Sequence, residues 1–240
     1  MSANETLIAE NDAELAHFAA ELMGRAIADA VRERGVARVA LSGGTTPGEA
    51  YRLLAAYNLS WDRVEWFWVD ERAVPPSSDR SNYRAACADL GLDRAPLSAG
   101  KVHRMTGEST DLEAAARDYE RLLRASFGVA LAVRFDVMTL GIGDDGHTAS
   151  LFPGMSSVHV TDRLVVNVPA QPQKNLEARL TLSAPVLCEA GLVLVLAKGA
   201  KKRSVLIEAQ SPGSLDAVPS RIIQQAKGRV VWILDRAAAP

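Results

Sequence analysis

The chain has 240 residues, of which 48% are hydrophobic and 23% are charged, a composition typical of a globular protein with a sizeable core. Its formal net charge of −2 at pH 7 indicates neither a nucleic-acid-binding nor a membrane-binding surface. An anionic ligand would therefore have to be bound by a few local basic residues.

The N-terminal stretch MSANETLIAENDAEL has no basic segment followed by an apolar one, so no signal peptide is predicted. No run approaches the roughly 20 apolar residues that a membrane-spanning helix needs. Cys87 and Cys188 stand alone among apolar neighbours and are expected to be buried, free thiols. These features together predict a cytoplasmic protein.

Residues 11–34 carry apolar side chains at helical spacing and end at Gly35, which predicts a long first helix. The apolar run 36–42 predicts a strand, which the glycine-rich turn 43–47 connects to a helix at 48–57. The same succession recurs along the rest of the chain. It predicts strands at 64–70, 134–143, 163–169, 190–199 and 228–235, helices from about residue 83, at 111–125 and at 200–209, and loops at 71–82 and 211–221.

Continuous apolar strands that alternate with helices are typical of an α/β fold. They predict a mainly parallel sheet that helices cover on both faces. Because the chain contains no internal repeat, low-complexity run or linker, we expect a single domain over residues 1–240.

Polar clusters follow four of the predicted strands. They are SGGTTP at 42–47, DER at 70–72, GDDGHT at 143–148 and KGAKK at 198–202. Ligands of open α/β sheets bind outside the carboxyl ends of the strands, so the clusters predict one shared site.

The first of these clusters offers successive backbone N–H groups where a helix begins, a combination that binds phosphate. It matches neither the dinucleotide fingerprint GxGxxG nor the P-loop GxxxxGK[ST], and a plain turn that needs glycine is the alternative. Lys202, after another predicted strand, favours the phosphate interpretation. Lys201 and Lys202 are also consistent with a solvated basic face.

His147 is the histidine that stands beside a glycine and near an acid at a predicted strand end. Histidine can act as a general base near neutral pH, and Asp145, two positions earlier, can orient the ring and stabilise the imidazolium. The alternative is an Asx turn with an incidental histidine. The chain has no GxSxG or HExxH motif, so we expect hydrolysis by an activated water without a metal or cofactor.

Three stretches, LSGGTTPGEAY, WVDERAVPPSSDRSNY and LGIGDDGHTASLFPG, occur in order with the supporting matches ARLTLSAPVL and KGAKK. Together they resemble the 6-phosphogluconolactonase family. The resemblance implies a Rossmann-like three-layer α/β sandwich. It also implies hydrolysis of 6-phospho-D-glucono-1,5-lactone to 6-phospho-D-gluconate, the second step of the oxidative pentose phosphate pathway.

The resemblance also implies the site residues and their roles. His147 would take a proton from the attacking water while Asp145 orients its ring, and Arg72 would stabilise the developing negative charge. A mechanism in which Asp145 or Asp70 is the base remains open, as does the choice between Lys201 and Lys202. The residues implied to bind the phosphate are Gly43, Gly44, Thr45, Arg179 and Lys202.

Two other functions remain open. The related glucosamine-6-phosphate deaminases share the glycine loop and the D-G-H element, but continue toward a glutamate-containing segment where this chain has TASLFPG. A non-catalytic sugar-phosphate sensor is the other, although the chain has no basic N-terminal helix-turn-helix segment. We expect a sugar-phosphate lactone as the partner, no nucleic acid or membrane partner, and a monomer or weak homo-oligomer.

Overall fold

The computed structural model describes residues 4–128, 133–174 and 176–240. The predicted single domain covers residues 1–240 and so includes residues 1–3, 129–132 and 175, which lie outside the described part. The strands are β1 (Asn4–Ala9), β2 (Ala37–Leu41), β3 (Val64–Trp68), β4 (Asp70–Arg72), β5 (Lys101–Val102), β6 (Phe135–Leu140), β7 (Val165–Val168), β8 (Arg179–Leu182), β9 (Ala190–Ala197) and β10 (Arg229–Asp235). The α-helices are α1 (Asp12–Arg34), α2 (Gly48–Ala55), α3 (Asn82–Leu90), α4 (Leu112–Phe127), α5 (Ala184–Leu187) and α6 (Arg203–Ala209).

A seven-stranded parallel sheet in the order β1-β10-β9-β6-β2-β3-β5 forms the centre of the molecule. Its central strands are apolar because both faces are covered. In β9, Val193 and Val195 pack in a cluster with α4, α5 and α6, whereas Leu194 and Leu196 pack in a second cluster with α1, α2 and α3. The predicted parallel sheet with helices on both faces is confirmed.

A second sheet, in the order β4-β8-β7, is antiparallel and was not expected. The strand predicted at 163–169 is present as β7, but it belongs to this sheet. The strand predicted at 64–70 is divided, since β3 ends at Trp68 and β4 starts at Asp70. The prediction of a loop from residue 71 is therefore wrong at its start, because Glu71 and Arg72 pair with β8.

Val69 connects the two sheets. Its amide donates to the carbonyl of Leu41 in the main sheet, and its carbonyl accepts a hydrogen bond from the amide of Leu182 in the second sheet. The chain therefore leaves the main sheet at the carboxyl end of β3 and continues above it. In β4, Arg72 lies directly opposite Arg179 of β8.

Strands β1, β5 and β8 have no counterpart among the predicted elements. In β1 the side chains are exposed or half-buried up to Ile8, because the strand lies at the edge of the sheet and pairs only with β10. Short or half-exposed strands lack the continuous apolar run that marks a buried strand.

Cys188 is buried as expected, whereas Cys87 is only half-buried, and both are free thiols. Burial raises the pKa of each thiol to about 11. Among the helices of the described ranges, none is both long enough and apolar enough to span a membrane.

Tyr51 of α2 anchors the turn that follows β2 to the end of β6. Its buried hydroxyl lies 2.7 Å from Thr139 Oγ1 and 3.0 Å from the carbonyl oxygen of Ser42. Burial raises the pKa of Tyr51 to about 12, although the hydrogen bonds to Thr139 and Ser42 oppose that shift. The hydroxyl therefore stays protonated and connects two strand ends.

We expect Tyr51→Phe to lower the free energy of unfolding by about 1–3 kcal/mol, because it leaves buried partners of the hydroxyl unsatisfied. Urea denaturation would measure the change. Tyr57→Phe is the matched control, since the Tyr57 hydroxyl has no hydrogen-bond partner in the part of the chain that the structure covers. Equal stability of the Tyr51 variant and the wild type would contradict this interpretation.

Candidate active site

The four polar clusters meet at one cavity of about 460 Å³ at the carboxyl ends of the central strands. All but one of the residues predicted from the sequence line it. These are Gly43, Gly44, Thr45, Asp70, Arg72, His147, Arg179 and Lys202. The exception is Asp145, which contacts the ring of His147.

The turn after β2 forms one side of the cavity. Within the described residues, the backbone amides of Gly43, Gly44 and Thr45 donate to no protein group. The turn leads directly into α2, which follows Pro47. Unpartnered amides at the start of a helix present a positive potential to a bound anion.

A tight turn places His147. The Gly143 amide donates to the His147 carbonyl over 2.8 Å, and the His147 amide donates to Asp145 Oδ1 over 3.1 Å. A Cβ on Gly143 would lie 2.0 Å from His147 Nδ1, so a larger residue would displace the ring. The Asx turn is thus present, and it also holds the imidazole.

The same Asp145 oxygen lies 2.6 Å from His147 Nδ1. Burial by itself would raise the pKa of Asp145, but the hydrogen bond to His147 and the charge of that ring lower it to about 2. The carboxylate is therefore ionised at neutral pH and accepts from Nδ1. Nε2 of His147 has no hydrogen-bond partner among the described residues.

Phe152 packs against the other side of His147, with the two ring centroids 4.6 Å apart. The guanidinium of Arg179 lies 5.6 Å from the centroid of the Phe152 ring. Phe152 was not predicted, because the sequence marks it only by its place in TASLFPG after the histidine.

Asp70 is buried beside this group and has several polar neighbours. It accepts hydrogen bonds from Ser150 Oγ over 2.6 Å and from Asn82 Nδ2 over 3.1 Å. Arg179 Nη1 lies 3.8 Å from its Oδ2 atom. Ser150 and Asn82 were not predicted, because their contacts with Asp70 join distant parts of the chain.

Arg72 and Arg179 are cross-strand neighbours in the second sheet. Each has a buried Nε atom without a hydrogen-bond partner in the described part of the protein. Burial lowers the pKa of Arg179, and the charge of Asp70 opposes that shift. Two adjacent guanidiniums with unpaired donors favour an anionic ligand or an oxygen that develops negative charge.

Glu71, between Asp70 and Arg72, is almost completely buried. Its carboxylate accepts hydrogen bonds of 2.8–2.9 Å from the amides of Arg72, Asn82 and Tyr83 and from Ser81 Oγ. Burial raises the pKa of Glu71, and these hydrogen bonds oppose that shift. Glu71 was not predicted as a site residue, although it lies within the DER cluster.

The structure places the two adjacent lysines differently. Lys202 lines the cavity and lies 2.5 Å from Asp144 Oδ1, whereas Lys201 is exposed and does not line the cavity. The described ranges contain no group of three or more His, Cys, Asp or Glu side chains that could hold a metal ion.

The fold and the cavity define a Rossmann-like α/β protein with a His–Asp pair and several cations around one site. The family model for glucosamine-6-phosphate isomerases/6-phosphogluconolactonase matches residues 10–232, and the chain belongs to this family.

Curated relatives carry a more specific name. The chain is 37% identical to the 6-phosphogluconolactonase of Nostoc sp., over 87% of this chain and 86% of the relative. It is 35% identical to the 6-phosphogluconolactonase of Rhizobium meliloti, over 100% and 97% of the two chains. A solved structure of 6-phosphogluconolactonase from Trypanosoma cruzi superposes with a TM-score of 0.86 at 28% identity, covering 99% of this chain and 97% of the other.

We expect His147→Ala to raise the pKa of Asp145 from about 2 toward its ordinary value of 3.8, because the ring no longer favours the carboxylate. The lowered pKa adds stability above pH 3.8 that is lost as the pH falls through about 2, so the substitution removes part of it. Carbon-13 NMR of the Asp145 carboxyl from pH 7 to about pH 3.5 would detect the change, since the carboxyl of the variant begins to titrate in this range and that of the wild type stays ionised.

The control for this titration is His159→Ala, which removes a histidine that pairs with Asp216 over 2.7 Å on the surface. That variant should leave the Asp145 titration unchanged. An Asp145 signal that titrates identically with and without His147 would contradict the assigned coupling.

Proposed function

We propose that this protein hydrolyses 6-phospho-D-glucono-1,5-lactone to 6-phospho-D-gluconate, the activity for which its curated relatives are named. The observation that carries the proposal is the meeting of the His147–Asp145 pair and the 43–45 amides at one cavity. The pair supplies a base for water, and the amides and nearby cations supply a site for phosphate.

His147 is the proposed general base. With Asp145 on Nδ1, Nε2 is left to accept a proton from water, and the carboxylate stabilises the resulting imidazolium. The two aspartates are less suited to the role. Asp145 does not line the cavity, and the oxygens of buried Asp70 already accept from Ser150 and Asn82.

The reaction proceeds by addition and elimination at the lactone carbonyl. The water oxygen bonds to C1 as Nε2 of His147 takes a proton, and the carbonyl oxygen becomes an oxyanion. The oxyanion then re-forms the C1 carbonyl as the C1–ring oxygen bond breaks, and the imidazolium returns the proton to the departing ring oxygen. The resulting carboxylic acid loses its proton to solvent at neutral pH, which gives the gluconate. Arg72, which lines the cavity, is the proposed stabiliser of the oxyanion.

The phosphate of the substrate is proposed to lie on the 43–45 amides with Lys202 and Arg179 as its cations. Lys202 contacts the exposed carboxylate of Asp144 in the free protein. Such exposed ion pairs contribute about 0–1 kcal/mol, so a phosphate dianion can replace Asp144 at little cost. The adjacent Lys201 has no comparable position.

A deaminase or isomerase acting on amino-sugar phosphates is the competing function. The ring of Phe152 lies against His147, in the segment TASLFPG, which contains no carboxylate. Ammonia release from glucosamine 6-phosphate would reveal that activity.

The cytoplasmic location, the absence of nucleic-acid partners and the monomeric or weakly oligomeric state stay predictions.

We expect His147→Ala to lower kcat for 6-phosphogluconolactone by about 10²–10⁴-fold with little change in KM, because it removes the base but not the phosphate site. Turnover would be measured against the spontaneous hydrolysis of the lactone. His159→Ala, which removes the surface His–Asp pair, should keep wild-type kcat. Near-normal turnover by the His147 variant would exclude it as the base.

We expect Lys202→Ala to raise KM by about 10–100-fold with a smaller change in kcat, the effect of losing one charged hydrogen bond to phosphate. Lys201→Ala is the matched control and should change KM by less than about twofold. Steady-state kinetics at constant ionic strength would measure both. Equal changes in KM for the two substitutions would contradict a specific contact between Lys202 and the phosphate.

A further inference from the structure

The buried carboxylate of Glu71 binds the backbone of Arg72 and also the residues next to the carbonyl that holds the Arg72 guanidinium. At the backbone end, Glu71 Oε1 accepts from the Arg72 amide over 2.8 Å. At the other end, Arg72 Nη1 donates to the carbonyl of Arg80. The residues just after Arg80 are themselves bound to Glu71, through Ser81 Oγ and the amide of Asn82.

The segment from Ala73 to Arg80 is therefore flanked on both sides by residues that donate hydrogen bonds to the same carboxyl group. Its first residue pairs with the second sheet, since the Ala73 amide donates to the carbonyl of Ala178. Its last residue precedes Ser81, the residue at which α3 is capped. Glu71 thus fixes the carbonyl of Arg80 relative to the backbone of Arg72.

The Arg72 backbone is also confined by Gly107. A Cβ on Gly107 would lie 2.2 Å from the Arg72 carbonyl oxygen, so the two backbones are already in close contact. Glu71 and Gly107 together leave the Arg72 main chain little room to shift. The direction of the guanidinium then depends on the Arg80 carbonyl.

We propose that Glu71 is the positioning residue for Arg72, and that it holds the guanidinium where negative charge develops during lactone hydrolysis. The inference rests on the proposed function, because it concerns the oxyanion of that reaction. Donors stabilise a transition state most when they are oriented before the reaction starts. A buried carboxylate with four donors provides that orientation without contacting the substrate.

The test is a double-mutant cycle between Glu71→Gln and Arg72→Ala. The carboxamide that replaces the Glu71 carboxylate has only one acceptor oxygen for the four donors, so the set of hydrogen bonds would be disrupted while the size of the side chain is kept. We expect Glu71→Gln alone to lower kcat by about 10-fold or more with little change in KM. In the Arg72→Ala background, the same substitution should change kcat by less than about threefold.

Glu120→Gln is the matched control for loss of a half-buried carboxylate. Glu120 accepts from the amides of Leu164 and Val165 and from Arg163 Nε, away from the cavity. We expect it to lower the stability of the fold and to leave kcat unchanged. If Glu71→Gln does not fold, Ser81→Ala removes one of the four hydrogen bonds and should give a smaller loss of kcat that also disappears in the Arg72→Ala background.

A second measurement does not depend on turnover. The Arg72 Nε–H signal in nitrogen-15 NMR should be sharp in the wild type and in Glu120→Gln, and broadened or lost in Glu71→Gln. If the wild type lacks lactonase activity but the signal behaves as expected, the proposed function fails and the positioning role stands. If Glu71→Gln leaves the signal unchanged, or lowers kcat equally with and without Arg72, the positioning role is overturned.

Discussion

The position of Val69 between two sheets is the constraint on which the site depends. Its amide donates to the carbonyl of Leu41 in the parallel sheet, and its carbonyl accepts from the amide of Leu182 in the antiparallel sheet. The chain therefore continues past the end of β3 instead of turning into a helix, and the DER segment runs above the strand ends. Without this connection, Arg72 and Arg179 would not face the glycine turn and the histidine. The cavity is the space between the two sheets at that point.

The electrostatics of the cavity follow from this arrangement. Two arginines lie side by side in β4 and β8, and Asp70 is buried next to them with hydrogen bonds from Ser150 and Asn82. Arg72 and Arg179 each keep a buried Nε donor without a partner in the described part of the protein, while Asp70 is already bound to neighbours. The proposed anionic ligand would lie beside these cations, next to a histidine held by its own aspartate. That combination is suited to adding water to an anionic ester or lactone.

The same family includes enzymes of different chemistry, so the fold by itself does not determine the reaction. The difference lies in what surrounds the histidine. In this chain an aromatic ring and a carboxylate hold the imidazole from two sides, through Phe152 and Asp145. In the proposed hydrolysis, the histidine held in this way is the group that acts on water.

The sequence by itself determined the features that depend on neighbouring residues. The Asp145–His147 contact spans two positions in a glycine turn, and the strand–turn–helix around 43–47 is equally local, so both could be predicted. The buried strands were predictable because their apolar runs are continuous. Only the tertiary structure decided which residues support the site, since Ser150 binds Asp70 across 80 positions and Glu71 binds the start of α3 across the 73–80 segment. Hydrophobic periodicity records whether a strand is buried, but it carries no information about which strand lies beside it, and that pairing created the second sheet and the cavity.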